Sequence, residues 1–141
     1  MEKIKIYLAG ACRGLSDEGK TWRKDARFWS NYHNKYFDNP VIKVYDPTQY
    51  FSRDGSNSIS SKQIKEFYLK SVIKNCTLVL VNLNDTQYSV GTGCELQYAE
   101  CHEIPVIGFG KENVYEWFPD YCDVVFETME EALNYIVDYY S

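Results

Sequence analysis

The chain has 141 residues and a net charge of −5, with 45% apolar and 25% charged residues. These are the values of one ordinary globular domain and exclude a disordered chain. No apolar run approaches the ~20 residues of a membrane span, and an acidic chain lacks the cationic footprint that duplex nucleic acid or an anionic membrane requires.

The opening residues, MEKIKIYLAGA, are too short and too interrupted by Glu2, Lys3 and Lys5 to serve as a secretory signal, which points to the cytoplasm. The cysteines are Cys12, Cys76, Cys94, Cys101 and Cys122. Their number is odd, no CxxC occurs, and His33 and His102 lie far apart, so neither a disulfide framework nor a metal site is expected. The pattern reads as reduced, mostly buried thiols. Aromatic residues reach 16%, with 13 tyrosines; most will pack, and some are able to stack on a flat ligand.

Strand and helix signals alternate along the chain. Lys3–Ala9 (KIKIYLA) reads as a first strand ended by Gly10. A helix is predicted over Ser16–Tyr36, with Trp22, Ala26, Trp29 and Tyr36 at near-helical spacing and Asn39-Pro40 breaking it. Val41–Tyr45 (VIKVY) is the second strand, stopped by Asp46-Pro47. Polar Phe51–Ile59 reads as loop, and Ser60 with Gln63 forms a capping box opening a helix to about Lys74. Thr77–Leu83 (TLVLVNL) is nearly all apolar, as a parallel strand covered on both faces should be. A helix over Thr92–His102, strands at Pro105–Phe109 and Asp123–Phe126, and a last helix opened by the box Thr128/Glu131 and running to Tyr139 complete the pattern.

This alternation predicts a single α/β domain over residues 1–141. Its core is a five-stranded parallel sheet of flavodoxin-like, Rossmann-like type, with right-handed crossovers and helices on both faces. Ligands of such sheets sit beyond the carboxyl ends of the strands. That rule gathers the loops Gly10–Leu15, Asp46–Tyr50 and Asn84–Glu95.

The loop after the first strand, Gly10-Ala11-Cys12-Arg13-Gly14, is glycine-rich but is neither GxGxxG nor a P-loop. Arg13 is able to clamp a phosphate through its planar fork; alternatively, Gly10 and Gly14 only turn the chain and Arg13 is a solvated charge. In Ser89-Val90-Gly91-Thr92-Gly93-Cys94-Glu95, Gly91 and Gly93 permit close approach by a ligand. Thr92 and Glu95 match a capping box, in which Glu95 would only cap the helix. The functional alternative is a carboxylate at a strand-to-helix junction, kept anionic by the helix N-terminus, that attacks an anomeric carbon. Tyr7 points into the same crevice if Ile4, Ile6 and Leu8 face the other side of the sheet, and its hydroxyl is then able to orient Glu95.

The set KIYLAG at Lys5–Gly10, Trp22-Arg23, SVGTGCELQYA at Ser89–Ala99 and IPVIGF at Ile104–Phe109 resembles the nucleoside 2-deoxyribosyltransferase family. The resemblance implies the flavodoxin-like sheet, cleavage of a nucleoside N-glycosidic bond through a covalent glycosyl ester, no cofactor, and assembly as a homodimer or larger oligomer. By position, Glu95 resembles the family's nucleophile and Tyr7 the tyrosine that orients it. Gly10, Arg13, Gly14 and Ser89 resemble the phosphate-holding residues of the branch that hydrolyses nucleoside 5′-monophosphates, which implies a nucleoside or nucleotide as the partner molecule. The chain departs from the family where it commonly carries aspartates, having Leu69 within Tyr68-Leu69-Lys70 and Thr77 at the start of the third strand. Asp46 and Asp85, in crevice loops, are the substitutes for the missing acid, although Asp46 precedes Pro47 and suits a turn cap and Asp85 suits a solvated loop.

Two readings follow. One is a glycosyl transferase or N-glycosidase using Glu95 and Tyr7. The other is a nucleotide-sensing or nucleotide-sequestering module on the same scaffold, with catalysis weakened at Leu69 and Thr77. A partner-binding role for the tyrosine-rich end (Tyr135, Tyr139 and Tyr140) competes with simple packing of an amphipathic last helix.

Overall fold

The computed structural model describes residues 3–50 and 60–140. Five parallel strands form one sheet in the order β2-β1-β3-β4-β5. They are β1 (Lys3–Gly10), β2 (Val41–Tyr45), β3 (Leu78–Asn82), β4 (Val106–Phe109) and β5 (Val124–Phe126). The helices are α1 (Lys20–Tyr36), α2 (Ser61–Glu66), α3 (Val90–Cys101) and α4 (Met129–Tyr140). This is the flavodoxin-like arrangement expected, and its strand order reverses between β1 and β3, where such sheets open a crevice. No helix among the described residues is long and apolar enough to cross a membrane. The loop predicted at Phe51–Ile59 falls outside the described residues.

Alternation along the strands divides the core in two. Ile4, Ile6 and Leu8 of β1 pack with Leu78 and Leu80 of β3 against Ala26 of α1 and Ala132, Leu133 and Ile136 of α4. Tyr7 and Ala9 turn to the other face with Val79 and Val81, against Val72, Ile73, Leu96 and Ala99. Both faces of β1 and β3 are therefore dry, which is why these strands read as near-continuous apolar runs. Tyr7 points to the side predicted for it.

Three helices differ from expectation. The first starts at Lys20 rather than Ser16, because the Asp17 carboxylate accepts from the backbone N–H of Gly19 (2.9 Å) and Thr21 (3.2 Å) and holds residues 17–19 in turns. Its fully buried positions are Arg23, Ala26, Ser30 and His33, whereas Tyr36, expected on the apolar face, is exposed. Polar groups are tolerated there because each has a partner: Ser30 Oγ donates to Arg27 C=O and His33 Nε2 meets Pro40 C=O. The second helix keeps its capping box at Ser60 and Gln63 but widens into a π segment over Phe67–Val72 and tightens into a 3₁₀ turn over Ile73–Asn75. In the third, Ser89 is the cap and Thr92 lies buried inside the helix, so the pattern Thr92/Glu95 is not a capping box. The box at Thr128 and Glu131 does form.

All five cysteines are free. Burial raises the thiols of Cys76 and Cys122 to about 12, but Cys94 and Cys101 are exposed, contrary to the expectation of mostly buried thiols. They stand seven residues apart on one face of α3, where both line an open groove.

Strand β2 is a sheet edge, and Asn34 of α1 covers part of it. Its amide accepts from Ile42 N–H (2.8 Å) and donates to Ile42 C=O (2.7 Å). Removing both bonds leaves two backbone groups without a protein partner. Asn34→Ala is therefore expected to lower stability by about 1–2 kcal/mol in chemical denaturation; a change below about 0.3 kcal/mol would mean that water replaces the amide without loss.

Candidate active site

The carboxyl end of β1 carries Tyr7, a residue with no exposed surface, and α3 brings Glu95 to meet it. The Tyr7 hydroxyl donates to Glu95 Oε2. Glu95 reaches inward because positions 92, 96 and 99 of α3 anchor the same side of the helix in the core.

Below this pair lies Arg23, 1% exposed. Its Nε donates to Leu8 C=O (3.2 Å), Nη2 to Gly10 C=O (3.0 Å) and Nη1 to Gly19 C=O (2.8 Å), with Cys12 Sγ 3.3 Å from Nη1. One guanidinium thus ties the end of β1, the following loop and the start of α1 together. Sequence reasoning assigned Arg23 no role. The available signal was an arginine at i, i+3, i+7 and i+10 spacing with Ala26, Ser30 and His33, a buried stripe made partly of polar residues.

Burial dominates the electrostatics. It pushes the Glu95 carboxyl up to about 7, against the opposing pull of the Tyr7 hydrogen bond and, after it, the Arg23 charge. The expected depression by the helix N-terminus does not occur, because Glu95 lies in the second turn of α3, beyond the reach of the terminal N–H groups. Burial, and next the neighbouring Glu95, raise the Tyr7 phenol well above its ordinary value. At neutral pH the phenol therefore keeps its proton, while the carboxyl is divided between its two forms.

The other candidate residues sit around this centre in different states. Gly10 gives its carbonyl to Arg23, and a Cβ there would stand 3.2 Å from the Trp22 ring and 3.3 Å from Asn82. Arg13 and Gly14 are exposed, and Arg13 has no ion pair or hydrogen bond among the described residues. Ser89 caps α3 by position, and its hydroxyl pairs with Thr92 Oγ1 at 2.6 Å. Gly91 faces open space, whereas a Cβ on Gly93 would stand 3.4 Å from the Phe118 ring.

Asp46 is buried and fully engaged. Oδ2 accepts from Arg27 Nε (3.2 Å) and Oδ1 from the backbone and hydroxyl of Thr48 (2.9 and 2.6 Å). It therefore builds a turn, as its place before Pro47 allowed. Asp85 is exposed, in a left-handed conformation (φ 60°), and accepts from Asn113 Nδ2 at 3.1 Å. Among the described residues neither carboxylate is hydrogen-bonded to Tyr7 or Glu95.

At the position of the first missing aspartate, Leu69 lines a groove of about 880 Å³ that follows the outward face of α3 past Ser89, Gly93, Tyr98 and Tyr115. Beside it, Tyr68 donates to Pro47 C=O (2.6 Å) and sets its ring edge-on to Tyr7, 6.4 Å between centroids. Thr77 continues the β1–β3 ladder. Its N–H donates to Lys5 C=O (2.8 Å), and its Oγ1 accepts from Lys5 N–H (2.9 Å).

No protein-family model and no curated protein sequence matches the chain. Among solved structures, a conserved protein from Enterococcus faecalis V583 superposes with a TM-score of 0.70 at 16% identity, covering 99% of both chains. A 2-deoxyribosyltransferase from the psychrotolerant bacterium Bacillus psychrosaccharolyticus superposes with a TM-score of 0.67 at 20% identity, covering 93% of this chain and 91% of that one. Both share the fold of this chain.

A carboxyl with a raised folded-state pKa holds its proton more tightly in the folded chain. Its contribution to stability is present below the unfolded value of 4.5 and is lost as pH rises to about 7. The loss amounts to roughly 3 kcal/mol. Glu95→Gln, which keeps an acceptor for Tyr7 and cannot ionise, is expected to melt above the wild type near pH 8 and close to it near pH 4.5. A melting difference that does not change with pH would show that Glu95 ionises as freely as in water.

Proposed function

We propose that this protein belongs with the nucleoside 2-deoxyribosyltransferases in activity and cleaves the N-glycosidic bond of a (deoxy)nucleoside or its 5′-monophosphate. The observation that carries the reading is the Tyr7–Glu95 hydrogen bond at the switch point of the sheet. It couples the carboxylate and the hydroxyl that the motif resemblance assigned as nucleophile and orienter, and the shared fold with a 2-deoxyribosyltransferase supports it.

In this reading ionised Glu95 attacks C1′ with one oxygen. A C1′–O ester bond forms as the C1′–N bond breaks, and its electron pair leaves with the base, which gains a proton. Water or the nitrogen of a second base then attacks C1′, gives up a proton, and releases Glu95 as carboxylate. Tyr7 holds the attacking oxygen in line and does not ionise, because its phenol is raised well above its ordinary value. Exclusion of water from the ester decides between transfer and hydrolysis. Arg13, Gly10, Gly14 and Ser89, with Gly91 and Gly93 giving room, hold the 5′ end of the substrate, and no metal or cofactor takes part. The protein acts in the cytoplasm as a homodimer or larger oligomer; exposed Tyr88 and Val90, at the rim of the α3 groove, support that assembly.

One observation favours the second reading, a nucleotide-binding module without turnover. Asp46 is engaged by Arg27 and Thr48, Asp85 is exposed and bonded to Asn113, and Leu69 replaces the usual acid. The departing base then has only solvent as a proton source, because Glu95 must be ionised to attack C1′ and is esterified as the base leaves.

Chromatography of nucleosides and 5′-monophosphates incubated with the protein, with and without a second free base, separates the readings. Free base or exchanged base is expected, lost in Glu95→Ala and reduced about 10- to 1,000-fold in Tyr7→Phe. kcat/KM is expected to rise with pH through about 7 as Glu95 ionises. No turnover across the panel, with thermal stabilisation by one nucleotide, establishes the binding module instead.

A further inference from the structure

On the α1 side of the sheet, opposite the face that carries Tyr7 and Glu95, a second depression of about 280 Å³ lies between α1 and the Pro47–Gln49 turn. Its walls are Lys20, Thr21, Lys24, Arg27, Thr48 and Gln49. Every one of these side chains carries a hydrogen-bond donor, three are cationic, and none is a carboxylate.

Lys20, Lys24 and Arg27 recur at i, i+4 and i+7 on α1 and so share one face of the helix. Like charges at this spacing repel and weaken a helix, and the chain as a whole is acidic at −5. The two lysines are barely neutralised from within. Lys24 has no ion pair among the described residues, and Lys20 reaches Glu18 only at 3.8 Å, with both side chains about half exposed.

Arg27 is different, because it is held in place. Buried Asp46 accepts its Nε–H at 3.2 Å, while Thr48 occupies the other carboxylate oxygen. The outer nitrogens of the guanidinium, Nη1 and Nη2, have no partner among the described residues. A fixed guanidinium edge with two mobile ammonium groups beside it is suited to a tetrahedral oxyanion.

We propose that this depression binds a phosphate or diphosphate group of a small ligand. Arg27 is its fixed anchor, and Lys20 and Lys24 close on the anion from α1. The volume, about 280 Å³, falls just under the ~300 Å³ at which pockets for whole drug-sized ligands begin. It fits an ionic head group rather than a complete nucleotide. Asp46 acts here as a positioning residue that aims Arg27. The site is separate from the loop at Arg13 and does not depend on any glycosidic activity.

The test is calorimetric titration of the protein with inorganic pyrophosphate at constant ionic strength, with amide chemical shifts followed in parallel. Binding is expected in the wild type and in Arg13→Gln, with the amides of Thr21 and Thr48 moving. Lys20→Gln/Lys24→Gln, two exposed substitutions, is expected to weaken it at least about tenfold without lowering the melting temperature in the absence of ligand. Absence of binding overturns the proposal, as does equal affinity in the double variant. Loss in Arg13→Gln also overturns it, since the anion would then occupy the loop after β1. Because no base release is measured, failure of the glycosidic reading leaves this result unaffected.

Discussion

Arg23 carries a charge that water scarcely touches, and an uncompensated guanidinium at such a position costs several kcal/mol. Compensation comes from three backbone carbonyls, those of Leu8, Gly10 and Gly19, which lie at a strand end and in the turns that lead into α1. Such carbonyls fall outside the regular ladders and need donors from elsewhere. The cation and the carbonyls therefore satisfy one another, and the path of residues 10–19 follows. Gly19 is part of the same constraint: its φ is +74°, and a Cβ there would stand 2.5 Å from both Ala11 C=O and Arg23 Nη1. The same charge also pulls on Tyr7 and Glu95. Loop shape thus rests on Arg23, whereas burial leads the site electrostatics and the Arg23 charge follows it.

A balance results at Glu95. Burial favours the neutral acid, while the Tyr7 hydroxyl and the Arg23 charge favour the carboxylate, and the outcome near 7 leaves both forms populated at neutral pH. A group poised in this way passes between acid and carboxylate over the neutral range. A surface glutamate would be ionised throughout.

Strand positions were legible because β1 and β3 are covered on both faces, and dry strands must be apolar whatever their neighbours. The pairing of Tyr7 with Glu95 came from the motif resemblance, whereas the side on which Tyr7 lies was legible for the same reason as the strands: alternation along β1 sets Tyr7 and Ala9 opposite Ile4, Ile6 and Leu8. Three features were not. The start of α1 depends on the Asp17 carboxylate reaching backbone amides two and four residues on, which leaves no periodic trace. The buried face of α1 contains Arg23, Ser30 and His33, so a hydrophobic pattern selects the neighbouring stripe of Trp22 and Trp29 instead. The Thr92/Glu95 spacing satisfies the capping-box pattern, but the cap is Ser89, because α3 begins three residues earlier than that pattern implies.

The acidic side chains beyond the strand ends explain why one of them has chemistry available to it. Asp17 accepts from Gly19 and Thr21, Asp46 from Thr48 and Arg27, and Asp85 from Asn113. Each of these builds a turn or joins two loops. The first two do so with both oxygens, and redirecting either would undo local backbone structure. Among the described residues Glu95 makes no such contact with the backbone. Its partner is the Tyr7 phenol, whose ring packs T-shaped against Tyr68. A carboxylate that the fold does not need for its own turns can exchange that hydroxyl for another partner without loss of architecture, and burial alone is what raises its pKa.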